Sequence, residues 1–150
     1  MNLEERRKLF CENFRLLKKN IHWFKKSLEK TKQIKDIKNV NEEQLGTMEV
    51  LASRYSRSID ILINKLLRSL DYLEFEDISR KLDIIIRAEK RGFVKDFNIL
   101  IEMKDLRNEL AHEYIEENFK EKVKEIIEKS KELIEIINKI EDYVKKYKYC

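Results

Sequence analysis

The sequence predicts an all-α fold, an antiparallel bundle of four long helices and one short helix. Its 150 residues include two glycines and no proline, so the residues that most often interrupt a helix are nearly absent. Hydrophobic residues make up 42% of the chain and charged residues 41%, a balance typical of a folded core beneath a densely charged surface. A chain of this length is expected to form one domain, residues 1–150.

The first half of the chain predicts two long helices. In the first, over residues 3–31, apolar residues recur at spacings of three and four, as in one buried stripe: Phe10, Phe14, Leu17, Ile21, Phe24 and Leu28. Residues 34–40 are predicted to be a connector. Asn41 follows as a helix cap with acidic residues in the next turn. The second helix is predicted over residues 42–73.

A short third helix is predicted after an interruption at residues 74–77. It covers residues 78–90, and the residues expected to face inward are Leu82, Ile85 and Ile86. Gly92 marks its end, because glycine accepts the left-handed conformation that often terminates a helix.

Two more helices complete the predicted bundle. The fourth begins near Val94, and a break follows at residues 116–118. The fifth covers residues 119–147. Because long helices joined by short loops pack as antiparallel neighbours, these elements predict the bundle.

Charge, cysteine content and hydropathy narrow the class of protein. The net charge of +4, from 33 Lys and Arg against 29 Asp and Glu, is too balanced to indicate a nucleic-acid binder by bulk charge. Cys11 and Cys150 form no CxxC pair and are predicted to be free thiols in a reducing compartment. No apolar run approaches the roughly 20 residues that span a bilayer. We therefore expect a soluble, cytoplasmic protein without membrane contact.

The candidate functional residues are concentrated in residues 107–114. They place Arg107, Asn108, His112 and Tyr114 in one predicted helix. Asn108 and His112 are four residues apart and are therefore neighbours on its surface. The core stripe of this helix lies on roughly the opposite side, has Tyr114 at its edge, and consists of Ile99, Met103, Leu106 and Leu110.

An arginine close to a histidine is the minimum set of groups for cutting RNA without a metal. Arg107 would hold a phosphate with its planar, permanently charged guanidinium group. His112 would act as an acid or base on a ribose 2′-hydroxyl or on the leaving 5′-oxygen, and Asn108 would orient the histidine or the phosphate. The expected products are a 2′,3′-cyclic phosphate and a 5′-hydroxyl. No metal or other cofactor is expected.

The predicted motif helix is apolar on one face and half-apolar on the other, so both faces are expected to be covered. The half-apolar face is covered either by another helix of the same chain or by a second subunit. In a homodimer, twofold symmetry would bring two copies of each polar group into one groove. A composite site of this kind would surround a phosphate and its riboses, which one helix cannot do.

The pattern Arg107-Asn108-x3-His112-x-Tyr114 resembles the motif of the HEPN superfamily, and in particular its HepT branch of toxins. The resemblance implies a homodimeric ribonuclease with Arg107 and His112 in the cleft between subunits. It also implies a partner, a minimal nucleotidyltransferase antitoxin that transfers AMP from ATP to the Tyr114 hydroxyl. A bulky anionic nucleotide beside Arg107 and His112 would block RNA and occupy the arginine.

Two alternatives to the toxin remain open at the level of the sequence. One is a non-catalytic helical module that binds a nucleotidyltransferase, because helical members of this superfamily can lose nuclease function and retain a binding role. The other is a helical scaffold in which the short motif occurs by accident.

Overall fold

A computed structural model describes all 150 residues, which form helices and no strand, and thereby confirms the all-α prediction. The first three helices are α1 (Leu3–Lys32), α2 (the consecutive segments Glu42–Asp60, Ile61–Leu67 and Arg68–Leu73) and α3 (Lys81–Lys90). The last two are α4 (Asn98–Ala111) and α5 (Glu116–Tyr147). The six residues of the predicted α1 stripe are all buried, and α1 packs mainly against α2. None of the helices has a stretch that is both long and apolar enough to cross a membrane.

The start of α2 has the predicted cap. The Asn41 side chain accepts a hydrogen bond from the backbone N–H of Gln44 at 2.8 Å, and the Gln44 side chain accepts one from the Asn41 N–H at 3.0 Å. This reciprocal pair satisfies two of the N–H groups that a helix start leaves without partners. The cap separates α2 from the predicted connector, which is not helical.

The middle of α2 departs from a regular α-helix. Ile61–Leu67 forms a π-helical segment, in which hydrogen bonds run from residue i to residue i+5. Five of its seven residues are buried. This is a larger share than an α-helix buries when only one of its faces packs against the core. The periodicity predicted one uninterrupted helix over residues 42–73, and this widened segment was missed.

Helix α3 is shorter than predicted and presents a different face to the core. The Asp77 side chain accepts a hydrogen bond from the Ser79 backbone N–H at 2.9 Å, and this turn delays the helix to Lys81. Leu82, expected inside, is half exposed, whereas the buried residues are Ile84, Ile85 and Ala88. Gly92 has a φ of +83°, which confirms the predicted stop signal.

The two cysteines form a disulfide, so the prediction of free thiols is wrong. Their Cα atoms lie 5.7 Å apart although 139 positions separate them in sequence. Cys11 lies on α1, and Cys150 follows α5, whose end returns to the start of α1. The Arg7 guanidinium reinforces this junction by donating to the Tyr149 carbonyl at 2.8 Å. The number of residues between the two cysteines therefore did not predict the distance between them in the folded structure.

Candidate functional site

Helix α4 is held between α2 and α5, and this position aims Arg107 at α2. Met103 and Leu106 are buried, as the predicted stripe requires. The buried Tyr55 hydroxyl on α2 donates to the Met103 carbonyl at 2.9 Å, which fixes the register of the two helices. Burial raises the pKa of Tyr55, so this hydroxyl remains a hydrogen-bond donor.

The Arg107 guanidinium is bound to a carboxylate that the motif does not contain. Its Nη2 donates to Asp60 Oδ2 at 2.9 Å, and its Nε lies 2.8 Å from Asp60 Oδ1, an ion-pair contact without hydrogen-bond alignment. Nη1 donates to the Asn108 side-chain oxygen at 3.3 Å. About one third of each charged side chain remains exposed, so a ligand phosphate can reach the guanidinium. Asp60 immediately precedes the π segment of α2.

His112 ends the motif helix and does not continue it, which corrects the prediction of a single helix through residue 114. It is the C-cap of α4, with φ −121° and ψ 11°, and its N–H donates to the Glu109 carbonyl at 3.1 Å. The imidazole is exposed and has no hydrogen-bond partner within the chain. Because five residues rotate a helix by about 140° beyond a full turn, Arg107 and His112 lie on different sides of α4.

Tyr114 lies in the short loop between α4 and α5, with 89% of its surface exposed. The prediction that it sits at the edge of a core stripe is therefore wrong. The neighbouring Ile115 is also exposed. This loop contains neither glycine nor proline, so the sequence offered no local signal for its position.

Glu113 is a second unusual group in the same loop. Its Oε1 atom is buried and has no hydrogen-bond partner. Buried carboxylate oxygens without partners are uncommon in folded proteins. Glu113 lies between His112 and Tyr114, so all three candidate groups outside α4 belong to one short segment.

Arg107 and Asn108 line a cleft of about 350 Å³ between α2, α4 and the start of α3. Its polar lining residues are Asp60, Asn64, Lys65, Lys81, Lys104, Arg107 and Asn108. Four of these seven are basic and one is acidic, so the cleft favours an anionic ligand. His112 and Tyr114 do not line it. The structure therefore brings Arg107 and Asn108 together and leaves His112 and Tyr114 at the adjacent end of α4.

Sequence reasoning missed most of this cleft. Asp60, Lys65 and Lys81 come from elements far from the motif in sequence and resemble the many other charged residues of the chain. The only local signal was an excess of apolar residues at positions 61–67 of the second helix. These positions form the π-helical segment. No protein-family model, curated protein or solved structure matches the chain, so the assignment of a function depends on this geometry and on the motif.

Proposed function

We propose that this protein is the toxin of a toxin–antitoxin pair, an RNase that acts without a metal as a homodimer of antiparallel helical bundles. The observation that carries the proposal is Arg107, which Asp60 holds in the lining of a basic cleft beside Asn108. A guanidinium in this position suits a phosphate, because its charge is permanent, about one third of the side chain is exposed, and N–H groups remain beyond those directed at Asp60 and Asn108.

His112 supplies the proton transfer in this proposal. An imidazole can remove the proton from a ribose 2′-hydroxyl or protonate the leaving 5′-oxygen near neutral pH. The 2′-oxygen then attacks the adjacent phosphorus, the bond to the 5′-oxygen breaks, and the products are a 2′,3′-cyclic phosphate and a 5′-hydroxyl. The exposed position of His112 leaves it free to approach a strand bound at Arg107 of a second subunit.

The outward face of α4 supports a dimer. Leu100, near the start of α4, is buried within the chain, but Asn108, Glu109 and Ala111 near its end are exposed, so this end of the helix is open to a second subunit. Tyr114 and Ile115 extend this face with exposed apolar surface. In a dimer centred here, His112 of each subunit would face the cleft of the other, which compensates for its separation from Arg107 around the helix.

Tyr114 is the proposed acceptor of AMP from a partner nucleotidyltransferase. The proposal rests on the family resemblance and gains support from exposure, because an enzyme must reach the hydroxyl of the residue that it modifies. An adenylate on this loop would place negative charge beside the groups that bind RNA.

The decisive experiment measures RNA cleavage in EDTA by purified protein without a partner, comparing wild type with His112→Ala. We expect the wild type to leave cyclic phosphate ends and the variant to lose at least about 100-fold in rate. His22→Ala is the matched control, because His22 is the other histidine of the chain, is exposed and packs edge-on against Trp23. It should cleave at the wild-type rate.

Other outcomes assign a different function. Equal cleavage by wild type and His112→Ala would refute the role of the histidine. Absence of cleavage by an unmodified, dimeric wild type across several RNAs would favour the alternative, a non-catalytic module that binds a nucleotidyltransferase.

A further inference from the structure

A groove continues from the candidate site along one side of α2. The cleft at Arg107 is followed by two others of about 410 and 370 Å³, and Asn64 lines all three. Lys81 is shared by the first and second clefts and Arg68 by the second and third. Because neighbouring clefts share their walls, they form one open channel, which we call the basic groove and define by Asn64, Lys65, Arg68 and Lys81.

The cations of the basic groove have no partners in the protein. Lys65, Arg68 and Lys81 form no ion pair, and their side chains donate no hydrogen bond within the chain. All three are exposed. Asp60 is the only carboxylate among the residues that line the three clefts, and it already binds Arg107. The basic groove therefore carries an uncompensated positive charge.

Unpaired lysines also occur elsewhere on the surface, and the scarcity of carboxylates is what distinguishes the basic groove. Two further clefts that contain lysines also contain acids, Glu43 in one and Glu29 with Glu135 in the other. A chain with almost equal numbers of acidic and basic residues has enough carboxylates to neutralise the groove. Mutual repulsion between the unpaired cations is unfavourable, and an anionic ligand would relieve it.

The π segment contributes to the shape of the groove. Asn64 and Lys65 belong to it, and Arg68 follows it directly. Lys65 and Arg68 are three residues apart along α2, and both line the third cleft. Lys81 begins α3 on the other side, and the channel thus has cations on both walls. A row of cations in an open channel suits a repeating anion better than a single phosphate.

We infer that the basic groove binds the sugar–phosphate backbone of a single-stranded RNA segment that flanks the nucleotides held at Arg107. The identity of the ligand rests on the proposed RNase function, whereas the polyanion character follows from the groove itself. Contacts of this kind give affinity without sequence preference, because every nucleotide carries the same phosphate.

The test compares two triple variants that remove the same charge. The groove variant is Lys65→Gln/Arg68→Gln/Lys81→Gln, and the control is Lys19→Gln/Lys131→Gln/Lys139→Gln, at exposed positions on α1 and α5. Binding to a fluorescent 2′-O-methyl RNA of about 12 nucleotides is measured by anisotropy over a range of salt concentrations. This strand lacks the free 2′-hydroxyl and cannot be cleaved by the proposed reaction, so the assay does not depend on catalysis.

Loss of three phosphate contacts should lower the affinity about 100-fold near 0.1 M salt and reduce the slope of log affinity against log salt by roughly 2. The control should stay within about threefold of wild type. Circular dichroism establishes that both variants are folded. Equal affinity of the two variants, or no binding of the strand by wild type, would overturn the inference, and the second result would favour an acidic protein as the occupant.

Failure of this inference and failure of the RNase proposal are distinguishable. If wild type binds the strand and the groove variant does not, the groove is established whether or not RNA is cut. If the groove variant binds as wild type does while His112→Ala abolishes cleavage, the RNase remains and the groove is refuted.

Discussion

Asp60 connects the motif arginine to the rest of the protein. Its two contacts orient the Arg107 guanidinium, yet its negative charge also opposes the approach of a phosphate to the same cleft. These two effects act on different steps. Orientation influences the rate of the chemical step, whereas charge influences the binding of the strand.

Asp60→Asn should separate the two effects. We expect cleavage at saturating RNA to slow by about 10- to 100-fold, because the guanidinium loses its fixed geometry. Binding of uncleavable RNA should become tighter or stay equal, because one negative charge leaves the cleft. Asp105→Asn is the control, since this exposed carboxylate on α4 does not line the cleft. A loss of binding in Asp60→Asn would contradict this account.

The ends of three helices meet at Glu74, which directly follows α2. Its Oε2 accepts hydrogen bonds from the hydroxyls of Tyr143 at 2.6 Å and Tyr149 at 2.7 Å, and its Oε1 accepts one from Arg91 Nε at 2.9 Å. Burial opposes the charged carboxylate, but the two tyrosine hydroxyls and Arg91 outweigh it, so the pKa of Glu74 lies below its ordinary value. Burial together with the Glu74 hydrogen bond raises the pKa of Tyr143 to about 12.

The lowered pKa makes the stability of this junction dependent on pH. Because folding lowers the pKa of Glu74, the ionised carboxylate stabilises the folded protein fully above pH 4.5, the ordinary pKa of a glutamate. This stabilisation is lost as the pH falls below that value. Glu74→Gln should lower the free energy of unfolding by roughly 1–2 kcal/mol at neutral pH. The difference from wild type should shrink in acid. Urea unfolding across pH measures it, with the exposed, unpaired Glu128→Gln as control. A difference that stays constant down to strongly acidic pH would contradict the assignment.

At the scale of the whole molecule, the Cys11–Cys150 disulfide closes almost the entire chain into a loop. A bridge of this kind restricts the unfolded state more strongly as the enclosed loop lengthens. With 139 positions between the cysteines, the chain-entropy relation gives a contribution of about 5 kcal/mol. It also holds Tyr149 at the Glu74 junction.

Cys11→Ser/Cys150→Ser should therefore unfold at a lower urea concentration than oxidised wild type. A reductant should shift wild type to the midpoint of the variant and leave the variant unchanged. Urea unfolding with and without the reductant measures both effects. An unchanged wild-type midpoint in reductant would show that the bridge does not contribute.

Local sequence signals predicted much of the fold. The stripe of α1, the Asn41 cap and the Gly92 stop depend on residues within one or two helical turns, so they can be read from spacing and residue type. The start of α4 and the loop after Ala111 were misplaced, because no glycine or proline marks them. The π segment was missed because its apolar residues also fit a regular buried helix.

The candidate site was also predicted only in part from local sequence. Arg107, Asn108, His112 and Tyr114 were recognised as chemical groups from their types and spacing alone. Their arrangement required the folded chain: Asp60 reaches Arg107 across 47 positions, and the end of α4 separates His112 from the cleft. The pairing of Cys11 with Cys150 likewise required the folded chain. Side-chain type and periodicity are properties of a local segment, whereas ion pairs, clefts and disulfides depend on which helices pack together, and that packing is decided by the burial of the whole core.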